Sequence, residues 1–217
     1  MLLPRFLDTS SASLKICGVT LEDDASKLVE LGVEALGVNF WSMSKRYLDP
    51  SLAGWLVGFS GKILRVGVFV NPDIATAIHL VRSGLIDVIQ LHGDETPETA
   101  APIRLAGIPF FKAIGVQGAA DLHQALDFGA DALLLDAPAP GVYGGTGETF
   151  DWSVAAAFIQ DHPTLPVILA GGIVPGNATA ALAAVHPAAL DVASGAESIP
   201  GIKDFGKVRA LLAAVRT

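Results

Sequence analysis

Eight short apolar segments, rich in β-branched residues, recur roughly every 20 to 35 residues along the chain. We predict strands at Leu14–Val19, Ala35–Phe40, Ile63–Val70, Val88–His92, Phe110–Val116, Ala132–Ala137, Val167–Ala170 and Leu190–Ala193. The stretches between them show helical spacing: Leu21, Ala25, Leu28 and Val29, for example, fall on one face of a helix. A strand followed by a helix, eight times in about 200 residues, is the pattern of a (β/α)8 barrel of the α/β class.

A doubly wound open sheet is the main alternative fold. Runs such as "DALLLDAP" and "LPVILAGG" are continuous apolar strands, which fit a parallel sheet covered on its outer side. The count of eight strands and the glycine-rich turns after the last two favour the barrel. We therefore predict a single-domain (β/α)8 barrel over residues 14–217, preceded by a flexible N-terminal extension over residues 1–13.

The composition excludes several classes of protein. Hydrophobic residues make up 51% and charged residues 17% of the chain, which is too apolar a balance for a disordered protein. The formal net charge is −8 and there is no block rich in Lys or Arg, so we expect neither nucleic acid nor a membrane surface as a partner. The first residues lack the apolar core of a signal peptide, and a single cysteine allows no intrachain disulfide. Both features favour a cytoplasmic location.

Two glycine-bearing turns follow the last two predicted strands. The segment "LAGGIVPGNA" carries Gly171 and Gly172, and "ASGAESIPG" carries Ser194 and Gly195. In (β/α)8 barrels these two loops often bind phosphate, because glycine lets backbone N–H groups approach an anion closely. Such a site needs no basic side chain, which suits an acidic protein. We predict a phosphate site here; the alternative is that the glycines only make tight turns.

The loop after the sixth predicted strand, "APAPGVYGGTGETFDW", is long for a connection between a strand and a helix. The neighbouring Gly144 and Gly145 would make it flexible. We interpret the loop as a lid that closes over a substrate, with these two glycines as candidate substrate contacts. A merely flexible loop is the alternative.

Polar side chains end three of the predicted strands: Cys17 the first, His92 the fourth and Asp136 the sixth. Active sites of (β/α)8 barrels lie at the carboxyl ends of the strands. An aspartate after three leucines is costly to bury unless it is paired or used, although capping of the next turn would also explain it. A lone cysteine on an apolar strand is most often a core residue. We expect His92 at the mouth, either as a substrate contact or as a turn cap.

The ring order of a barrel relates these residues to the phosphate turns. Strands 6, 7, 8 and 1 are neighbours, so a phosphate held after strands 7 and 8 lies between Asp136 and Cys17. One acid and one base on opposite sides of a phosphosugar are what a proton-shuttling isomerisation requires. Side-chain alternation points Lys15 and Asp191 into the barrel. We predict that they form an ion pair and that Lys15 eases the ionisation of Cys17.

Seven segments occur in an order that closely resembles the phosphoribosylanthranilate isomerase family of tryptophan biosynthesis: "LKICGVT", "SKRYL", "VGVFVN", "VIQLHGDE", "YGGTGETFDW", "LAGGI" and "DVASGAESIPGIKD". The resemblance begins at Leu14 and runs to the C-terminal helix. It implies an Amadori rearrangement of N-(5'-phosphoribosyl)anthranilate without a cofactor or a metal. It also implies that Cys17 is the general base, that Asp136 is the general acid, and that Arg46 holds the anthranilate carboxylate, which suits a guanidinium fork.

One position departs from the family pattern. The family usually has Ser-Ser-Gly after the eighth strand, where this chain has Ala193-Ser194-Gly195. If the missing hydroxyl served the phosphate, binding is expected to weaken by about 1 kcal/mol unless backbone donors cover the loss.

Three other functions compete with this one. A Schiff-base aldolase would use Lys112, but that residue lies early in its predicted strand, below the mouth. A non-catalytic phosphosugar-binding protein would need neither the thiol nor the carboxyl. Broader specificity would include the analogous isomerisation of the histidine pathway, which commonly pairs two aspartates. The sequence leaves open whether the protein is a monomer or a homodimer.

Overall fold

The computed structural model describes residues 2–138 and 150–217. It contains a closed barrel of eight parallel strands in sequence order, and pairing of the first strand with the eighth completes the ring. The strands are β1 Ser13–Ile16, β2 Ala35–Asn39, β3 Leu64–Phe69, β4 Val88–Leu91, β5 Phe110–Gly115, β6 Ala132–Asp136, β7 Val167–Leu169 and β8 Ala189–Val192. The predicted (β/α)8 barrel is confirmed.

Helices cover the barrel, the first of them at its amino-terminal end and the others along its outside. They are α1 Leu2–Phe6, α2 Glu22–Leu31, α3 Ile74–Arg82, α4 Pro97–Leu105, α5 Ala119–Ala125, α6 Trp152–Asp161, α7 Ala178–Val185 and α8 Phe205–Val215. Between β2 and β3 the chain forms two 3-10 helices, Pro50–Leu52 and Gly54–Phe59, where the pattern predicted an α-helix. Gly54 and Gly58 lower the helix propensity of this segment. Among the helices of the described residues, none has both the length and the apolar character needed to cross a membrane.

The connection after β8 carries extra structure near the mouth of the barrel. A single 3-10 turn at Ser194–Ala196 leads into a short antiparallel hairpin of β9 Glu197–Ile199 and β10 Ile202–Lys203. Asp204 then caps α8 by accepting from two backbone N–H groups. The hairpin therefore lies between the end of β8 and the last helix, close to the end of β1.

Side-chain alternation divides the apolar core into two layers. On β6, Leu133 and Leu135 pack outward against the helices, whereas Leu134 belongs to the inner layer of the barrel. Asp136 has the same parity as Leu134, as the sequence predicts. The carboxyl therefore continues the inward face of the strand at its open end.

The first residues of the chain are part of the fold. The sequence predicted a flexible extension over residues 1–13, but Leu2–Phe6 form α1, and Phe6 is only 1% exposed. The ring of Phe6 stacks on Phe111 of β5, with the ring centroids 6.1 Å apart. Inner-layer residues such as Ala35 and Leu64 lie at the starts of their strands, so α1 covers the amino-terminal end of the barrel. The physical reason is that these inward apolar side chains would otherwise face water.

Candidate active site

A cavity of about 480 Å³ opens at the carboxyl ends of the barrel strands. The predicted site residues that line it are Cys17, Arg46, His92, Asp136, Gly171, Gly172 and Ser194. Gly195 is buried in the 3-10 turn behind the cavity wall. Gly144 and Gly145, with the predicted lid, lie outside the described residues.

Asp136 ends β6 and is 8% exposed. Its Oδ1 accepts a hydrogen bond from the N–H of Ala137 at 2.8 Å, and its Oδ2 lies 3.3 Å from Nε2 of His92. Each carboxyl oxygen has two lone-pair sites, so these contacts leave room for a proton directed into the cavity. The side chain is therefore placed to exchange a proton with a bound molecule.

Cys17 directly follows β1, and β7 and β8 separate its strand from β6 around the ring. Lys15, which is fully buried, donates to Oδ2 of Asp191 at 2.8 Å and to Oε1 of Gln90 at 2.9 Å. The predicted ion pair between Lys15 and Asp191 is confirmed. Oδ1 of Asp191 is buried and has no hydrogen-bond partner within the described residues.

Burial has the largest effect on the thiol of Cys17. It raises the pKa of Cys17 above its ordinary value; the positive charge of Lys15 opposes the rise, the negative charge of Asp191 adds to it, and Lys203 opposes it again. The sequence predicted that Lys15 eases the ionisation of this thiol. The charge of Lys15 does act in that direction, but the net shift is upward because desolvation of the thiolate outweighs the attraction of the cation.

We expect the rate at which iodoacetamide alkylates Cys17 to keep rising with pH beyond the ordinary thiol range of about 8 to 9, because only the thiolate reacts. The chain has a single cysteine, so the measurement follows one group. Lys15→Met should move the midpoint of this pH–rate curve to a higher pH. Lys62→Met, at an exposed position, should leave the midpoint unchanged. A wild-type midpoint below the ordinary range, or one that Lys15→Met leaves in place, would contradict this electrostatic account.

Arg46 lies in the loop after β2 and reaches across to the hairpin after β8. Its Nε and Nη2 donate to the two carboxylate oxygens of Glu197 at 2.7 to 3.1 Å. Lys203 donates to the same carboxylate at 2.7 Å and to the carbonyl of Cys17 at 2.6 Å. Burial tends to raise the pKa of Glu197, but the hydrogen bonds from Arg46 and Lys203 bring it below its ordinary value. Glu197 therefore stays charged and holds the guanidinium in place.

The second terminal nitrogen of Arg46 is left for a ligand. Arg46 lines the cavity, and within residues 2–138 and 150–217 no acceptor takes a hydrogen bond from its Nη1. A guanidinium held on one edge and open on the other is suited to bind an anion in a defined orientation.

The loops after β7 and β8 pack closely, and glycine makes this possible. Gly171 and Gly172 have positive φ angles of 77° and 63°, a backbone conformation that residues with a Cβ atom rarely adopt. A Cβ atom on Gly171 would lie 2.7 Å from the nitrogen of Ala137, and one on Gly195 would overlap the carbonyl of Ile173. These contacts bring the end of β7 against both β6 and β8.

Several backbone N–H groups of these two loops lack a partner among the described residues. The N–H groups of Gly171, Gly172, Ser194 and Gly195 make no hydrogen bond to any of the described residues. Unpaired N–H groups on adjacent glycine-containing loops are suited to bind an anion. Gly171, Gly172 and Ser194 line the cavity, whereas Gly195 does not.

The lysine of the aldolase alternative faces away from the cavity. Lys112 donates to the carbonyl of Gly93 and to the carboxylate of Glu95, each at 2.7 Å, and its ammonium lies 5.4 Å from the centroid of the Phe128 ring. Its neighbour Ala113 belongs to the inner layer, so Lys112 points toward the helices. A Schiff-base lysine must reach its substrate, and this position argues against that chemistry.

Gln90, Glu197 and Lys203 were not predicted as site residues from the sequence. Of the three, Gln90 could have been predicted most easily, because a glutamine in the apolar run "VIQL" must find a partner when it is buried. Glu197 and Lys203 both occur in the segment "ESIPGIKD", but nothing in that segment shows that they join Arg46. Among the described residues, no three His, Cys, Asp or Glu side chains are grouped as metal ligands.

A closed parallel barrel with a cavity at the carboxyl ends of its strands, lined by a carboxyl and a thiol, is the architecture of a (β/α)8-barrel enzyme. The family model for N-(5'phosphoribosyl)anthranilate (PRA) isomerase matches residues 14–214. The chain belongs to this family, and it is an isomerase of tryptophan biosynthesis. The resemblance seen in the sequence segments is thereby confirmed.

Relatives and solved structures agree with this assignment. The chain is 44% identical over 197 residues to an N-(5'-phosphoribosyl)anthranilate isomerase of Geobacter metallireducens, covering 90% of this chain and 95% of that protein. It is similar to the crystal structure of phosphoribosyl anthranilate isomerase from Thermotoga maritima, with a TM-score of 0.85 and 35% identity, covering 94% of this chain and 98% of that one. Another similar structure holds reduced 1-(o-carboxyphenylamino)-1-deoxyribulose 5-phosphate; its TM-score is 0.81 and its identity 32%, with coverage of 94% and 98%.

Proposed function

We propose that the cavity converts N-(5'-phosphoribosyl)anthranilate to 1-(2-carboxyphenylamino)-1-deoxyribulose 5-phosphate, with Asp136 as the general acid and Cys17 as the general base. The observation that carries this proposal is that a carboxyl and a thiol line one cavity together with unpaired backbone N–H groups. A sugar phosphate anchored by those groups has its reacting carbons between the two side chains. An aldose–ketose rearrangement needs one proton donor and one proton acceptor in that arrangement.

The reaction begins at Asp136. Its carboxyl gives a proton to the ring oxygen of the ribose, the bond between that oxygen and C1 breaks, and the nitrogen lone pair forms the iminium. The thiolate of Cys17 then removes the proton from C2, and the electrons of that bond form the enolamine as the nitrogen regains its pair. Tautomerisation of the enolamine produces the ketone. The raised pKa of Cys17 makes its thiolate scarcer but more basic toward a carbon-bound proton.

The phosphate is held by the loops after β7 and β8. The backbone donors are those of Gly171, Gly172, Ser194 and Gly195, and none of them is taken up by another described residue. Ala193 stands where the family usually has a serine, so the phosphate relies on these backbone donors and receives no hydroxyl from position 193. An acidic chain can bind phosphate in this way because the positive potential is local.

The anthranilate carboxylate is held by Arg46. Glu197 occupies one edge of the guanidinium, Arg46 lines the cavity, and its Nη1 makes no hydrogen bond to the described residues. Substrate recognition therefore uses charge at both ends of the molecule.

We expect the wild-type protein to consume N-(5'-phosphoribosyl)anthranilate, measured as the loss of its fluorescence. The corresponding aniline compound, which lacks the carboxylate, should react with kcat/KM about 10- to 100-fold lower, the usual effect of losing a charged hydrogen bond. Arg46→Met should cause a similar loss on the natural substrate and little further loss on the aniline compound, because both changes remove the same contact.

The exposed Lys62→Met variant, which removes the same charge elsewhere, is the control and should keep wild-type kinetics. Additive losses from Arg46→Met and the aniline compound would show that Arg46 does not bind the carboxylate. Failure of the wild type to consume the substrate would reject the proposed function as a whole.

The proposed chemistry takes its acid and its base from the chain and so requires no cofactor and no metal ion. All the proposed contacts come from one chain, so a monomer and a homodimer both fit. A catalytic thiol must stay reduced, which fits a cytoplasmic location. The partner is a small phosphosugar, and neither nucleic acid nor a membrane has a role in this reaction.

A further inference from the structure

A row of polar side chains crosses the barrel beneath the cavity, from Asp191 to Asp136. Lys15 donates to Asp191 at 2.8 Å and to Oε1 of Gln90 at 2.9 Å, and Nε2 of Gln90 lies 2.8 Å from Nδ1 of His92. Nε2 of His92 then lies 3.3 Å from Oδ2 of Asp136. Lys15 and Gln90 are both fully buried, so water does not compete for the contact between them. We call this set of five residues the polar row.

The chemistry of the polar row determines the direction of each hydrogen bond. An ammonium group has only donors, so the atom of Gln90 that faces Lys15 is its oxygen. The atom of Gln90 that faces His92 is therefore its NH2 group, which can only donate. Nδ1 of His92 must accept this hydrogen bond and cannot carry a proton. The ring is neutral as a result, and its one N–H is on Nε2, toward Asp136.

We propose that the polar row holds His92 as a neutral hydrogen-bond donor to the carboxylate that Asp136 becomes when it protonates the substrate. The proposal rests on the function proposed above. In that step the O–H bond of the Asp136 carboxyl breaks, the proton passes to the ring oxygen, and the negative charge stays on the carboxylate. Nε2–H of His92 is placed to donate to Oδ2, and the N–H of Ala137 donates to Oδ1. The 3.3 Å contact shortens as this charge develops, since charge-assisted hydrogen bonds are the shorter ones.

The fixed tautomer also protects the proton that the reaction needs. A histidine with its proton on Nδ1 would present a bare Nε2 to Asp136 and accept the proton intended for the ring oxygen. A doubly protonated ring would hold Asp136 ionised before the substrate arrives, and an ionised Asp136 cannot act as an acid. Gln90 excludes both states by donating to Nδ1. His92 is therefore a positioning residue for Asp136.

The tautomer of His92 can be read from ¹⁵N NMR spectra of the imidazole rings in the substrate-free protein. The chain has five histidines, and the spectrum of His92→Gln identifies the signals that belong to His92. We expect the wild type to carry a proton on Nε2 and none on Nδ1 at neutral pH. Gln90→Glu keeps an acceptor for Lys15 but offers His92 an acceptor instead of a donor, so we expect Nδ1 to become protonated. Gln124→Glu, on the exposed side of α5, is the control and should leave the His92 signals in place.

Kinetic measurements test whether the reaction depends on the N–H at Nε2 of His92. His92→Leu removes the donor and should lower kcat about 10- to 100-fold with little change in KM. His92→Gln should recover most of that loss, because its amide can accept from Gln90 and donate to Asp136. A wild-type spectrum with a proton on Nδ1, signals that Gln90→Glu leaves unchanged, or equal kcat values for His92→Leu and His92→Gln would each overturn the proposal. A protein with the expected tautomer that does not consume the substrate would instead overturn the proposed function, and with it the catalytic use of His92.

Discussion

Replacing Asp136 with asparagine is expected to lower kcat by about 10²- to 10⁴-fold, the usual effect of removing a positioned acid. Asparagine has nearly the same shape, and its oxygen can still accept from the N–H of Ala137, so the backbone at the end of β6 should keep its geometry. Its NH2 group replaces the oxygen that faces Nε2 of His92, so that one contact is lost. The amide has no proton to give to the ring oxygen, and the ring therefore stays closed. KM should change little, because the contacts to the phosphate and to the carboxylate lie on other residues. Fluorescence loss of the natural substrate measures both constants.

Asp161→Asn, at the exposed end of α6, makes the same chemical change away from the cavity and should keep wild-type kinetics. A substrate with deuterium on C2 adds a second measurement. Ring opening precedes removal of the C2 proton, so Asp136→Asn should show little isotope effect on kcat. Turnover within a few-fold of wild type, or a large isotope effect in this variant, would remove Asp136 from the acid role.

Replacing Cys17 with serine is expected to lower kcat by a similar factor, about 10²- to 10⁴-fold. Serine fits the same space, but its hydroxyl is a far weaker acid than a thiol and does not form the anion that removes the C2 proton. The five residues of the polar row keep their partners, so the stability of the variant should be close to that of the wild type. The variant should also no longer react with iodoacetamide, because it has no other thiol.

The deuterated substrate distinguishes the roles of the two side chains. Removal of the C2 proton becomes the slow step in Cys17→Ser, so a primary isotope effect should appear in this variant and not in Asp136→Asn. Cys17→Ala should lose at least as much activity as Cys17→Ser. If Cys17→Ser retained most of its activity, or if the isotope effect appeared in the Asp136 variant instead, the roles assigned to acid and base would be wrong.

Local sequence patterns were enough to predict much of the fold. Eight apolar strands with helices between them were predicted correctly because alternation along a strand and helical spacing involve residues that are neighbours in sequence. The 3-10 helices between β2 and β3 and the ordered α1 were not predicted. For α1 the packing partners lie elsewhere in the chain, as the stacking of Phe6 on Phe111 shows.

The strand-end positions of Cys17 and Asp136 and the pairing of Lys15 with Asp191 could be inferred before any coordinates, because a closed ring of eight strands dictates which strand ends are neighbours. The sign of the Cys17 pKa shift could not be inferred, since it depends on how far the thiol is desolvated in three dimensions. The bond from Arg46 to Glu197 joins residues 151 positions apart, and the hydrogen bond from Lys15 to Gln90 joins residues 75 apart. Such pairings arise only when the barrel closes, because no local regularity of the chain encodes the distance between segments so far apart.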